Sequence, residues 1–281
     1  MTSQKSVLRL MRYLDDDGSI REEGVDAILA AVREASEAAR EAGIEELLAF
    51  ATSAIREATN GEEVLAQVAA ETGVELDVLS GDEEASLTYL AVRRWYGWSA
   101  GRILLLDIGG GSLELAQGID EVPEVARSLP LGAGRSTIEF LPDDPPSADQ
   151  VANLRGHARA ILAEAVAPFR ELPAPDHVVG SSKTIRSLAR LAGTVEEGVG
   201  ASDRSILTRR GLDDWTPRLA KIPSDARPAL PGITADRTFQ IVAGAVVLAE
   251  AMRALGVDEL EVSPWALREG LILRRLDRFT E

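Results

Sequence analysis

Val25, Ile28, Leu29 and Val32 recur at the spacing of one buried helical face, which predicts a helix over residues 22–41. Gly43 follows as its stop. Residues 47–51, Leu-Leu-Ala-Phe-Ala, form a short apolar run that reads as a buried strand. Residues 62–72 return to helical periodicity and end before Gly73, residues 74–79 alternate as a strand, and residues 82–95 read as a helix with an acidic first turn. Residues 103–106 are an uninterrupted apolar strand, and residues 113–118 a second strand turned back by the glycines between them. Residues 142–146 are a proline loop, after which Ser147 caps a long helix ending near Pro168. His177-Val178-Val179 is a strand that runs through Gly180-Ser181-Ser182-Lys183-Thr184 into a helix to Leu191. A long apolar helix over 234–255, a strand over 260–262 and a closing helix over 266–278 complete the reading. Helices and strands in alternation predict an α/β fold, with no solenoid repeat.

Composition narrows the function classes. With 281 residues and 45% hydrophobic content the chain has material for a packed core and does not read as disordered. Zero cysteines exclude disulfides, thiolate metal sites and cysteine nucleophiles. His157 and His177 have no ligand partner one helical turn away, so both read as structural. The longest apolar run, residues 241–249, falls short of the ~20 residues that span a bilayer. The first five residues lack the apolar core of a signal peptide, and the expected location is the cytoplasm, with no membrane partner. A net charge of −16 disfavours nucleic acid, whose binding leans on a basic face. That charge is concentrated in residues 1–96, which hold 9 basic and 20 acidic side chains. The shift, together with the loop Trp95-Tyr96-Gly97-Trp98, places an expected boundary near Gly97, giving lobes 1–96 and 97–281.

Four segments could carry chemistry. In Asp107-Ile108-Gly109-Gly110-Gly111-Ser112-Leu113-Glu114, consecutive glycines let backbone N–H groups approach an anion. Asp107 at the strand end can hold Mg²⁺, and Ser112 and Glu114 share a face of the returning strand. A glycine-rich hairpin turn is the alternative account, but three glycines exceed what a turn needs, which favours phosphate binding. In Gly180-Ser181-Ser182-Lys183-Thr184 a strand meets a helix N-terminus, whose free amides and dipole favour an anion, with Lys183 and Arg186 adding charge. An ordinary Ser-capped helix explains it equally well. The acids of Ser80-Gly81-Asp82-Glu83-Glu84-Ala85 are explained by capping and the helix dipole, or one of them is a general base. Arg56, in Ala51-Thr52-Ser53-Ala54-Ile55-Arg56, could clamp phosphate oxygens, although spacing alone favours a salt bridge.

These segments, with Asn60, Ser128-Leu129-Pro130-Leu131-Gly132, Val242-Ala243-Gly244-Ala245 and Leu267-Arg268-Glu269-Gly270, resemble in order and spacing the exopolyphosphatase / guanosine pentaphosphate phosphohydrolase family. The resemblance implies an actin-like ATPase (ribonuclease H-like) two-lobed fold. It also implies hydrolysis of terminal phosphate from inorganic polyphosphate or guanosine pentaphosphate with Mg²⁺ or Mn²⁺. On that resemblance Glu84 activates water, Asp107 and Glu114 hold the metal, and Gly109, Gly110, Gly111 and Ser112 cradle the phosphoryl group. Arg56 clamps its oxygens, Gly180, Ser181, Ser182 and Lys183 form a second substrate-binding loop, and a homodimer is an expectation by analogy. One departure stands out. The family opens with a strand, an Asp-x-Gly-Ser-Asn phosphate loop and a returning strand, whereas here residues 5–10 look like the element after that hairpin. Asp16-Asp17-Gly18-Ser19, with no apolar strand ahead of it, reads as a turn. Alternative expectations are therefore a catalytically weak polyphosphate or guanosine polyphosphate binding protein, and an actin-like ATPase or kinase.

Overall fold

The stripe of Val25, Ile28 and Leu29 is buried on α1 (Glu22–Glu41), as its spacing requires. The computed structural model describes residues 8, 10–15, 17–44, 46–196 and 204–279. Contacts gather the chain into two units, Met1–Ser80 and Gly81–Glu281. In the first, α1 is followed by β1 (Phe50–Ala51), α2 (Ser53–Arg56), α3 (Gly61–Thr72) and β2 (Asp77–Val78). Its core joins Val25, Ile28, Leu29, Ala51, Ile55, Val64 and Val68. The strands expected over 47–51 and 74–79 shrink to two residues each, paired in parallel as Phe50↔Asp77 and Ala51↔Val78. Leu47 and Leu48 stay 42% exposed, because among the described residues β1 is paired along one edge only. Both amide groups of Asn60 bond the backbone of Ile20, at 2.8 and 2.9 Å, and fix the turn before α1. Gly18 closes that turn on the Asp15 carbonyl, as expected for 17–19, and Asp16 lies outside the described residues. So does the element expected over 5–10, apart from Leu8 and Leu10.

The second unit begins with α4 (Gly81–Tyr96), which the charge shift had grouped with the first lobe. The chain continues through β3 (Ile103–Ile108), β4 (Leu113–Gly118), β5 (Val125–Leu129), α5 (Ala133–Phe140), α6 (Ala148–Ala165), α7 (Ala167–Arg170), β6 (His177–Ser181) and α8 (Ser182–Ala192). It ends with β7 (Thr194–Glu196), β8 (Arg204–Thr208), α9 (Arg209–Leu219), α10 (Ile241–Leu255), β9 (Glu259–Val262) and α11 (Leu267–Asp277). The seven strands lie in the order β5-β4-β3-β6-β9-β8-β7. β3, β6 and β9 are parallel, while β4 and β5 turn back antiparallel on β3.

Alternation along β3 separates the two faces of the sheet. Ile103 and Leu105 pack with Tyr89 and Val92 of α4, and Leu104, Leu106 and Ile108 pack with residues of α5, α6, α8 and α10. Both faces are covered, which is why β3 reads as a continuous apolar run. Ser147 caps α6 with the full capping box, as its sequence announced. Two departures from the sequence reading follow. The apolar helix starts at Ile241 rather than Thr234, because residues 234–240 close on local turns (Arg237 N–H to the Thr234 carbonyl, 2.8 Å), with the Thr234 hydroxyl bonded to Asp236. β5 and α5, and the β7–β8–α9 stretch, were not foreseen, since their short apolar stripes take meaning only from what they pack on. His157 stacks on Phe140, and His177 is bonded to Glu261 at 2.8 Å.

α11 crosses α4 where Gly270 faces Leu87, and a Cβ on Gly270 would overlap the Leu87 backbone carbonyl. Gly270→Ala is therefore expected to destabilise the protein by about 1–3 kcal/mol, since backbone must move. A lower urea midpoint at unchanged slope checks this.

Candidate active site

Register brings the chemistry together. Asp107 on β3 lies opposite Glu114 on β4, Glu114 lies opposite Ser128 on β5, and Asp107 lies beside Ser181 on β6. The four residues form one row across four adjacent strands. Their parity with Leu105, Ala116, Ala126 and Val179 places them on the face covered by α4. The row is hydrogen-bonded: Ser128 Oγ donates to Glu114 Oε1 at 3.0 Å, and Ser181 Oγ donates to Asp107 Oδ2. Ser112 lies close enough to favour the charged form of Glu114.

α4 supplies the third carboxylate. Of its three consecutive acids, Asp82 and Glu83 are exposed, as capping and dipole require, while Glu84 is buried at 6% exposure. Glu84 is close enough for its charge to act on Glu114.

The glycine loop is turned by its neighbours. Gly109 N–H closes the hairpin on the Ser112 carbonyl at 2.9 Å. The loop carbonyls all point toward α5: Gly109 accepts from Ala133 N–H, Gly110 from Gly134 and Arg135 N–H, and Gly111 from the Arg135 side chain, at 2.9–3.0 Å. The N-terminus of α5 is thereby satisfied by protein. The N–H groups of Gly110 and Gly111 have no protein acceptor among the described residues, and Gly110 is exposed. Gly132 makes this contact possible, because a Cβ there would sit 2.5 Å from the Gly110 carbonyl oxygen and overlap the Gly111–Ser112 peptide.

The second loop converges on the same row through Ser181. Ser182, next to it, has φ +84°, the left-handed value that no other described non-glycine residue adopts. Its hydroxyl accepts from Ile185 N–H at 3.2 Å, and Lys183 is exposed. Arg56 belongs to the first unit, where it donates to the Leu79 carbonyl at 2.7 Å and pairs with Glu57 at 3.4 Å.

Electrostatics marks the row as unfinished. Burial and then the Asp107 charge push the Glu114 carboxyl up to about 8, and Glu84 adds to the push against the opposing effects of Ser112 and of the bond from Ser128. Burial likewise raises Asp107, opposed by the Ser181 bond and the nearby Arg186 charge. No ion pair to Lys, Arg or His forms with either carboxylate among the described residues. Facing carboxylates destabilise a strand pair. A hard divalent cation removes that repulsion, and the oxygen-only donor set fits Mg²⁺ or Mn²⁺. Among the described residues no three His, Cys, Asp or Glu converge into a protein cage.

One pH consequence follows for the metal-free protein. Folding raises the Glu114 pKa from 4.5 to about 8, so the folded state holds a proton that the unfolded chain releases. The associated stability is fully present below pH 4.5 and is lost as pH rises toward 8. Glu114→Gln in chelator should therefore match the parent melting temperature at low pH and exceed it increasingly through that window. A parallel pair of melting curves at every pH would contradict the assignment.

The profile of the Ppx/GppA phosphatase family matches residues 1–279. The chain belongs to the Ppx/GppA phosphatase family. It is 52% identical over 277 residues to Exopolyphosphatase 1 of Mycobacterium tuberculosis, covering 99% of this chain and 80% of that protein. Exopolyphosphatase 1 of Mycobacterium leprae is 50% identical, with 99% and 82% covered. A crystal structure of the Aquifex aeolicus Ppx/GppA family member superposes with a TM-score of 0.74 at 26% identity, over 98% of this chain and 89% of that one. An exopolyphosphatase-like protein superposes at 0.83 and 25% identity, over 96% and 91%. The α/β class is thus the Ppx/GppA fold. Among the described residues no helix is long and apolar enough to cross a membrane.

Within this Ppx/GppA chain the segments singled out in the sequence divide by physical job. Glu84, Asp107, Glu114 and the two loops converge, whereas Gly132 and Gly270 permit close backbone approaches. Ser128, Gly132 and Arg135 were not recognised as site residues. Ser128 had a legible signal in hindsight, a lone polar residue opening the apolar Ser128–Gly132 segment, but its partner is set by strand register.

Proposed function

We propose that this chain is a Mg²⁺-dependent exopolyphosphatase that releases terminal phosphate from inorganic polyphosphate by direct attack of water, with Glu84 as the general base. The observation that carries the reading is the buried Glu84 beside the Asp107–Glu114 pair, next to a loop whose Gly110 and Gly111 amides have no protein acceptor among the described residues. The names of the half-identical relatives support the reaction class.

Asp107 and Glu114 hold the cation, which when bound neutralises the oxygens of the reacting phosphoryl group. In the cradle formed by Gly109, Gly110, Gly111 and Ser112, the N–H groups of Gly110 and Gly111 are presented to those oxygens, where the charge changes most during transfer. The water oxygen bonds to the terminal phosphorus and its proton passes to the Glu84 carboxylate. The bridging P–O bond then breaks, and the shortened chain leaves with the electron pair on its new terminal oxygen. Gly180, Ser181, Ser182 and Lys183 form the second binding loop, and Arg56, on the first unit, is a substrate-binding residue through its guanidinium fork. A polyanion repels a carboxylate base, and the cation and the amides overcome that repulsion.

Guanosine pentaphosphate carries the same terminal phosphoanhydride and enters the proposal as a second substrate. Phosphate release from each substrate, measured with Mg²⁺ on the same sample, tests both. Release from polyphosphate that stops on chelation is the expected result. A folded sample that binds polyphosphate and releases nothing would assign a binding role instead.

A further inference from the structure

The row Ser128–Glu114–Asp107–Ser181 crosses β5, β4, β3 and β6 in continuous register. Its two carboxylates are inside and its two hydroxyls outside. Each hydroxyl donates to the carboxylate beside it, Ser128 to Glu114 Oε1 and Ser181 to Asp107 Oδ2. One oxygen of each carboxylate is thus anchored from the flank. Glu114 Oε2 lies toward the glycine loop, 3.9 Å from where a Cβ of Gly109 would be.

We propose that Ser128 and Ser181 are positioning residues that anchor the outer oxygens of Glu114 and Asp107 and so aim the inner oxygens at one shared divalent cation. This rests on the metal-holding role given above to the two carboxylates. The choice of residue supports it. A lysine or arginine at either flank would form an ion pair and spend the negative charge that a cation needs. A neutral hydroxyl fixes the rotamer and leaves that charge in place. The backbone helps, since in-register neighbours on one face have Cβ atoms about 4.5–5.5 Å apart, within reach of a side chain as short as serine. Both serines sit on strands, so their donors are held by the sheet rather than by a loop. Ser181 is fully buried, and its hydroxyl is committed to Asp107.

The test is Mn²⁺ binding to metal-free protein, read by electron paramagnetic resonance without substrate, for the parent, Ser128→Ala, Ser181→Ala, Ser128→Thr and Asp107→Asn. Melting in chelator is measured alongside. Both alanine variants should bind Mn²⁺ about 10–100-fold more weakly, and Ser128→Ala, which lies outside the binding loops, should recover kcat at high metal concentration with the polyphosphate KM at saturating metal unchanged. Ser128→Thr, which keeps the hydroxyl, should restore most of the affinity. A purely structural role would lower the melting temperature and leave Mn²⁺ affinity at the parent value. If Asp107→Asn abolishes Mn²⁺ binding while both alanine variants bind as the parent does, the inference about the serines is overturned and the metal assignment stands. Should Asp107→Asn bind like the parent, the metal assignment itself falls, and this inference with it.

Discussion

Glu84→Gln is expected to slow phosphate release from polyphosphate by about 10²–10⁴-fold while leaving the fold intact. Glutamine keeps the shape of the side chain and cannot accept the proton of the attacking water. The substitution also removes one of the charges that raise the Glu114 pKa, so the metal-free protein should melt no lower than the parent. Asp82 and Glu83 provide internal controls. They adjoin Glu84 in sequence and face solvent, and Asp82→Asn and Glu83→Gln should retain parent turnover. Steady-state phosphate release by the three variants decides the matter. Loss in Glu83→Gln with turnover kept in Glu84→Gln would move the base to the wrong side of α4 and end the present assignment.

Gly132→Ala should lower turnover by about 10²-fold or more with a modest loss of stability. The added Cβ sits 2.5 Å from the Gly110 carbonyl oxygen and overlaps the Gly111–Ser112 peptide. The glycine loop must shift to admit it, and a misplacement of ~1 Å at a reacting centre costs about that factor. The loop carbonyls also cap α5, so the shift loosens the bonds at Ala133, Gly134 and Arg135. Gly270→Ala is the control, for it should cost stability at the α4–α11 crossing and leave kcat nearly unchanged in the folded fraction. Parent-like kcat for Gly132→Ala would show that the hairpin tolerates displacement and that its amides are not the phosphoryl cradle.

Much of the fold was legible because its signals are local. The helix α1 has the bounds that its apolar stripe announces, and Ser147 opens α6 with the hydrogen bonds that a Ser-x-x-Gln box requires. β4 spans 113–118 as expected, because the glycines force the chain back on itself. Signals failed where pairing supplies the order. The apolar run over 47–51 contains only two strand residues, since strand length is set by the partner ladder. β5 was overlooked although its first member of the row, Ser128, stood inside a recognised segment.

The candidate site divides the same way. Residue type and chain order determined which groups are present: three carboxylates, two small-residue loops and Arg56, in the order of the Ppx/GppA family. Tertiary structure decided which of them lie together. Three adjacent acids on α4 look alike as text, and only packing against the sheet buries Glu84 and leaves Asp82 and Glu83 in water. Strand register set Asp107 against Glu114 and gave each a serine from a strand elsewhere in the chain. The physical reason is that side-chain type and helical periodicity are short-range properties. Burial, register and the pKa values that follow from them depend on residues brought close by the fold.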